Sequence, residues 1–96
     1  MGERLWGLPQ LQILGLFCGD GPKRPMTGYA VHTETLLPVP TVYRVIEQFE
    51  EKGFLVGRLE RVDPTISQRT PRTVYVGTTV GADQLNAIRA LVGVAA

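Results

Sequence analysis

The chain has 96 residues, 44% of them hydrophobic and 20% charged. That suffices for one compact domain with its own core and is too apolar for a disordered tail. Ten Lys and Arg against nine Asp and Glu leave a formal charge of +1, so the molecule as a whole exerts no bulk attraction on nucleic acid or an acidic membrane. Any polyanion must be held by local placement of charge.

A single cysteine, Cys18, excludes an internal disulfide, and with one histidine, His32, the chain cannot supply the usual four-ligand zinc site. No metal or cofactor is expected. The apolar run at 11–18 lacks a basic leader and a small-x-small cleavage site, and it is far shorter than the ~20 residues that cross a bilayer. The sequence reads as cytoplasmic, with no membrane partner.

Gly and Pro supply the punctuation. Residues 8–18 place Leu11, Leu14 and Cys18 on one stripe with Ile13 and Phe17 beside it, and Pro9 suits a first turn, which predicts a first helix. Gly19-Asp20-Gly21-Pro22 should end it, with glycine in the left-handed geometry. Thr27 is placed to cap a second helix over 28–36, of poor intrinsic propensity and dependent on packing. Leu37-Pro38-Val39-Pro40 breaks the chain and restarts it, with Pro40 in the new first turn.

The pattern then sharpens. Val42, Val45, Ile46 and Phe49 recur at i, i+3, i+4 and i+7, while Arg44, Glu47, Gln48, Glu51 and Lys52 face away, and Gly53 closes this third helix. Residues 54–62 alternate with Leu55, Leu59 and Val62 at strand-like positions, and residues 73–77 alternate again. The polar stretch between them is too long for a tight turn and predicts a mobile projecting loop. Thr78 or Thr79 caps a last helix carrying Leu85, Ile88, Leu91 and Val92. The fold class is α+β: a winged helix-turn-helix of three helices, a two-stranded β-hairpin wing and a short C-terminal helix. Residues 8–78 form the winged-helix core of a single domain over 1–96, and 79–96 a dimerisation helix.

Local charge departs from the total. The hairpin over 58–72 carries Arg58, Arg61, Arg69 and Arg72 against Glu60 and Asp63, and its tip at 68–72 holds two arginines and no acid. In the third helix Arg44 lies near the start, while Glu47, Glu50 and Glu51 crowd the later turns and would be repelled by DNA. Only its first two turns suit a groove, with Thr41, Tyr43, Arg44 and Gln48 as base or phosphate contacts. Lys23 and Arg24 precede the second helix and could clamp a phosphate beside Thr27 and Tyr29. Arg69 and Arg72 could reach phosphates or a minor groove. Each set has a plainer reading: a solvated face with Arg44 paired to Gln48 or Glu47, a solubilising loop, an ordinary polar hairpin tip. His32 has no partner acid at a recognisable spacing, Cys18 is a core residue or a redox switch, and no nucleotide-binding loop or hydrolase elbow occurs, so no enzyme is expected.

Several spaced motifs resemble the PadR-type transcriptional regulators. Residues 11–17, Leu-Gln-Ile-Leu-Gly-Leu-Phe, are similar to that family's opening helix, and Met26-Thr27-Gly28-Tyr29 to its small-polar-Gly-Tyr signature. Thr41-Val42-Tyr43 and Glu51-Lys52-Gly53-Phe54-Leu55 resemble its Thr-Leu-Tyr helix and Glu-x-Gly-Leu exit, Pro71-Arg72-Thr73-Val74-Tyr75 its Pro-Arg-x-Tyr-Tyr wing strand, and Thr78 with Gly81 its Thr-x-x-Gly. The likeness covers about residues 8–92.

The resemblance implies a dimeric DNA-binding winged helix, usually a repressor and often released by a small aromatic ligand. It gives Tyr29, Thr41, Tyr43 and Arg72 DNA-facing or phosphate-facing roles. Two departures stand out: Pro38-Val39-Pro40 replaces Ser-Pro-Gly, so the capping hydroxyl is missing, and only a short run follows Gly81 where the family has a long dimerisation helix. Leu85, Ile88, Leu91 and Val92 are then expected to pair with their mates, near Trp6, in a small C2 homodimer. The sequence thus implies double-stranded DNA as partner and a pseudo-palindromic operator. Two other functions compete: a protein-interaction winged helix, as an antirepressor or assembly subunit, and a sensor of small aromatic effectors with a pocket lined by Trp6, Phe17 and the last helix.

Overall fold

A computed structural model describes residues 6–19, 25–61, 63, 65 and 70–95, the last four by backbone alone. The order is α1 (Leu8–Cys18), β1 (Met26–Thr27), α2 (Gly28–Thr35), α3 (Val39–Lys52), β2 (Leu55–Leu59), β3 (Thr73–Gly77) and α4 (Thr79–Ala95). The sheet is antiparallel in the order β1-β3-β2. This is the expected winged helix-turn-helix, with one strand more than the hairpin: Met26 pairs with Tyr75 and Thr27 with Val74. Two residues carry too little alternation to be read as a strand, yet this pairing stitches the entry of α2 to the central strand of the wing.

α3 follows its pattern. Val42, Val45, Ile46 and Phe49 are all buried, and they meet Ile13, Leu14 and Phe17 of α1, Val31 of α2 and Leu55 of β2 in one core. Burying each such side chain contributes about 1.5–3 kcal/mol, which holds the weak helix α2 in place. Gly53 ends α3 at φ 79°, its N–H donating to the Glu50 carbonyl (3.1 Å) while the Phe54 N–H donates to Phe49 (2.8 Å). The Phe54 ring then packs edge-on against Phe49, completing a Schellman closure.

Three expectations are corrected. α1 does end at Gly19, but in extended geometry (φ −73°, ψ −177°) rather than left-handed; glycine is required there because a β-carbon would collide with the Gly15 carbonyl oxygen. The inward stripe of α1 runs through Gln10, Ile13, Leu14, Phe17 and Cys18, with Leu11 only half-buried. Leu59 is largely exposed: burial falls away along β2 from buried Leu55 through half-buried Gly57, so the alternation persists after the core contact has ended. Half of the polar stretch read as a mobile loop, residues 64 and 66–69, lies outside the described residues. Within it Asp63 Oδ1 accepts from the Thr65 hydroxyl and N–H, which together lower its carboxyl pKa.

Candidate nucleic-acid interface

Thr27 Oγ1 accepts from the Ala30 N–H (3.1 Å), so α2 begins on the predicted hydroxyl cap. α2 ends at Leu36, which adopts left-handed geometry (φ 61°) with its side chain 84% exposed. A non-glycine residue there costs about 1–2 kcal/mol. Bonds to the next peptide offset it. The Leu37 N–H donates to Thr35 Oγ1 (3.3 Å), and His32 Nδ1 lies 2.6 Å from the Leu37 carbonyl, which requires the proton on Nδ1. His32 is thus a half-buried clasp on the turn between α2 and α3, consistent with the absence of a catalytic constellation around it in the sequence.

α3 starts without a side-chain cap on Pro38, and Pro40 occupies its second position. Of the amides that ordinarily stand free at a helix start, those of residues 38 and 40 do not exist, leaving Val39 and Thr41. From this first turn the outward ridge runs through Val39, Pro40, Tyr43, Arg44 and Glu47. It passes from apolar to aromatic to cationic to acidic within three turns.

Tyr29 is exposed, its ring 5.6 Å from that of His32. Tyr43 is 42% exposed at its edge, while its ring lies against Gly28. Arg44 is exposed. Thr41 is half-buried, and so is Gln48, whose Oε1 is shielded from solvent, so Gln48 leaves the outward face on which the helical pattern put it. Thr27 is half-buried with one lone pair of its hydroxyl engaged by the cap. Lys23, Arg24 and Arg69 lie outside the described residues.

Arg72 corrects the reading of an acid-free wing tip. Its Nε lies 3.4 Å from Glu60 Oε1, and the Glu60 N–H donates to the Arg72 carbonyl at 2.8 Å. The acid belongs to the opposite strand and so was invisible in the tip's own sequence, although the antiparallel register that continues past Leu59 and Thr73 places it there. Sequence reasoning also missed Tyr75. It packs over Gly57, with burial first and then Glu50, Tyr43 and Glu47 raising its phenol pKa.

Among the expected dimer residues Leu85 is buried, Ile88 packs partly on the core and Leu91 is 78% exposed; the Val92 side chain lies outside the described residues. Trp6 stacks on Phe54 and lies tilted against Phe49 of its own chain, both ring centroids 5.8 Å away, and Phe17 is buried. Phe17 thus belongs to the protomer's core, and half-buried Trp6 packs against that core. Among the described residues, no group of three or more His, Cys, Asp or Glu is placed to hold a metal ion, and no helix is long and apolar enough to cross a membrane.

No family model and no curated protein matches the sequence. Solved structures of transcriptional regulators are among those that share its fold. A candidate transcriptional regulator from Thermoplasma acidophilum aligns over 92% of this chain and 82% of its own, with a TM-score of 0.71 and 23% identity. A PadR family transcriptional regulator from Eggerthella lenta aligns over 88% and 71%, with a TM-score of 0.70 and 20% identity. Bacillus subtilis PadR, solved in complex with operator DNA, aligns over 81% of this chain but 45% of its own, with a TM-score of 0.65 and 17% identity. The fold is therefore a PadR-like winged helix, as the spaced motifs implied.

Proposed function

We propose that this protein is a cytoplasmic transcriptional regulator rather than an enzyme, binding double-stranded DNA as a homodimer and acting as a repressor at a pseudo-palindromic operator. α3 enters the major groove by its first two turns, and the wing rests on the backbone or in the minor groove. The observation that carries this reading is the linkage of β1 to β3, which ties the helix-turn-helix and the wing into one unit with Tyr29, Tyr43 and Arg44 exposed. The likeness to Bacillus subtilis PadR, whose structure holds operator DNA, supports it. Residues 8–78 form the DNA-binding body and 79–96 the dimerisation helix, where exposed Leu91 would be covered by its mate. A small aromatic effector would then bind at the dimer seam.

One observation favours a second reading, a protein-interaction winged helix. Glu34, Glu47, Glu50 and Glu51 are all exposed on α2 and α3, where a DNA-binding face gains from bases. Selection of duplexes by the purified protein from a random-sequence pool, at stated low and physiological salt, separates the two. DNA binding predicts an enriched motif with two related half-sites and an affinity that falls with salt. No retained duplex at low salt, together with a stable protein partner, overturns it.

A further inference from the structure

If the chain reads DNA as proposed above, the composition of the α3 start restricts how it can do so. We infer that α3 selects bases by alkyl contact with thymine methyl groups, made by Val39 and Pro40, with Arg44 supplying the polar contact one turn later. Val39 is 37% exposed and Pro40 is exposed, both at the leading end of the helix. Donors are scarce there. Pro38 and Pro40 carry no N–H, no side chain caps the helix, and the Thr41 side chain is half-buried. Tyr43 and Arg44 are the first exposed hydrogen-bonding side chains along the ridge, and exposed Glu47 follows one turn on.

Among the edges that the four bases present in the major groove, only thymine offers a methyl group. An alkyl surface at the leading edge therefore discriminates thymine from cytosine and gains nothing from a purine edge. The acids at Glu47, Glu50 and Glu51 keep the rest of the helix out of the groove, so the methyl contact is made by the first turn or not at all. Arg44 follows four to five residues after the alkyl pair, an advance of ~6–7.5 Å along the helix at 1.5 Å per residue. With ~3.4 Å between successive base pairs, the contacted thymine lies about two base pairs from the guanine or phosphate met by Arg44.

The test uses the full chain and the best duplex recovered from the random-sequence pool. Each thymine in turn is replaced by deoxyuridine, which removes the methyl and leaves the hydrogen-bonding edge unchanged. One or two positions in each half-site should lose about three- to fourfold in affinity, the value of one buried methyl group. Val39→Ala and Pro40→Ala, exposed sites where alanine favours the helix, should bind the parent and the deoxyuridine duplexes alike at those positions. Deoxyuridine duplexes that all bind as the parent overturn the inference while leaving DNA binding intact, as do variants that keep the full penalty or a pool that yields no preferred sequence. Failure to bind any duplex at low salt overturns the underlying function as well.

Discussion

The ring of Tyr43, on α3, lies against the α-carbon of Gly28 at the start of α2: a β-carbon there would fall 2.6 Å from both Cε1 and Oη. The glycine sets how closely the two helices of the helix-turn-helix approach and where the tyrosine hydroxyl emerges. Gly28→Ala forces the ring outward. Because the ring is partly exposed it can move, so the stability loss should be near the low end of the ~1–3 kcal/mol typical of overpacking, with some return from better helix propensity. Affinity for the selected duplex should fall further than urea stability does. Tyr43→Phe, which keeps the packing and removes the hydroxyl, separates the two effects; equal DNA affinity for Gly28→Ala and the parent would take Tyr43 off the binding face.

Glu60 holds Arg72 on the wing, with a 3.3 Å contact to the Arg72 N–H beside the 3.4 Å ion pair. The Arg72 side chain is half-exposed, so screening leaves the pair little stability, on the order of 0–1 kcal/mol. Its larger effect is on charge. Glu60→Gln should leave the urea midpoint nearly unchanged, tighten binding to all duplexes at low salt, and steepen the salt dependence by up to about one released counterion. Identical salt slopes for variant and parent would mean that the wing does not meet phosphate.

The parts legible in the sequence were those with strong local chemistry. The period of Val42, Val45, Ile46 and Phe49 defined α3, Thr27 announced the start of α2, and alternation marked β3 to the residue. What escaped depended on partners far along the chain. β1 exists only because Tyr75 and Val74 lie beside it, Glu60 reaches Arg72 only across the hairpin, and nothing local signals that Trp6 packs on Phe49 and Phe54. Gln48 was misplaced for a related reason. Helical period alone put it on the outward face, whereas the packed structure leaves it half-buried.

Cys18 illustrates another long-range constraint. Its Sγ would lie 2.8 Å from a β-carbon on Gly77 and 2.7 Å from one on Gly81, and the Gly81 position also faces the Phe54 carbonyl oxygen at 2.7 Å. Both glycines therefore make room where α1, β3 and α4 converge on the thiol. Gly81→Ala should destabilise by about 2–3 kcal/mol, lowering the melting temperature by roughly 8–24 °C for a domain of this size. Cys18→Ala in the same chain should recover part of that loss, since it relieves the sulfur contact but leaves the backbone oxygen in place. A strictly additive pair of substitutions would show that the thiol and Gly81 do not compete for space.

Tyr75 should make the wing sensitive to alkali. Burial raises its pKa above the ordinary 10.0, and Glu50, Tyr43 and Glu47 add to the shift by opposing a phenolate. The folded state therefore holds the phenol proton more tightly than the unfolded state does. Stability from this group is complete below about pH 10 and is lost as pH rises from the unfolded pKa through the higher folded one. Tyr75→Phe keeps the ring over Gly57 and removes the titration. Urea denaturation from pH 8 to 11 should show the parent losing stability more steeply than the variant above pH 10, with parallel curves below it. Parallel curves over the whole range would mean that the phenol is as easily ionised in the folded protein as in the unfolded chain.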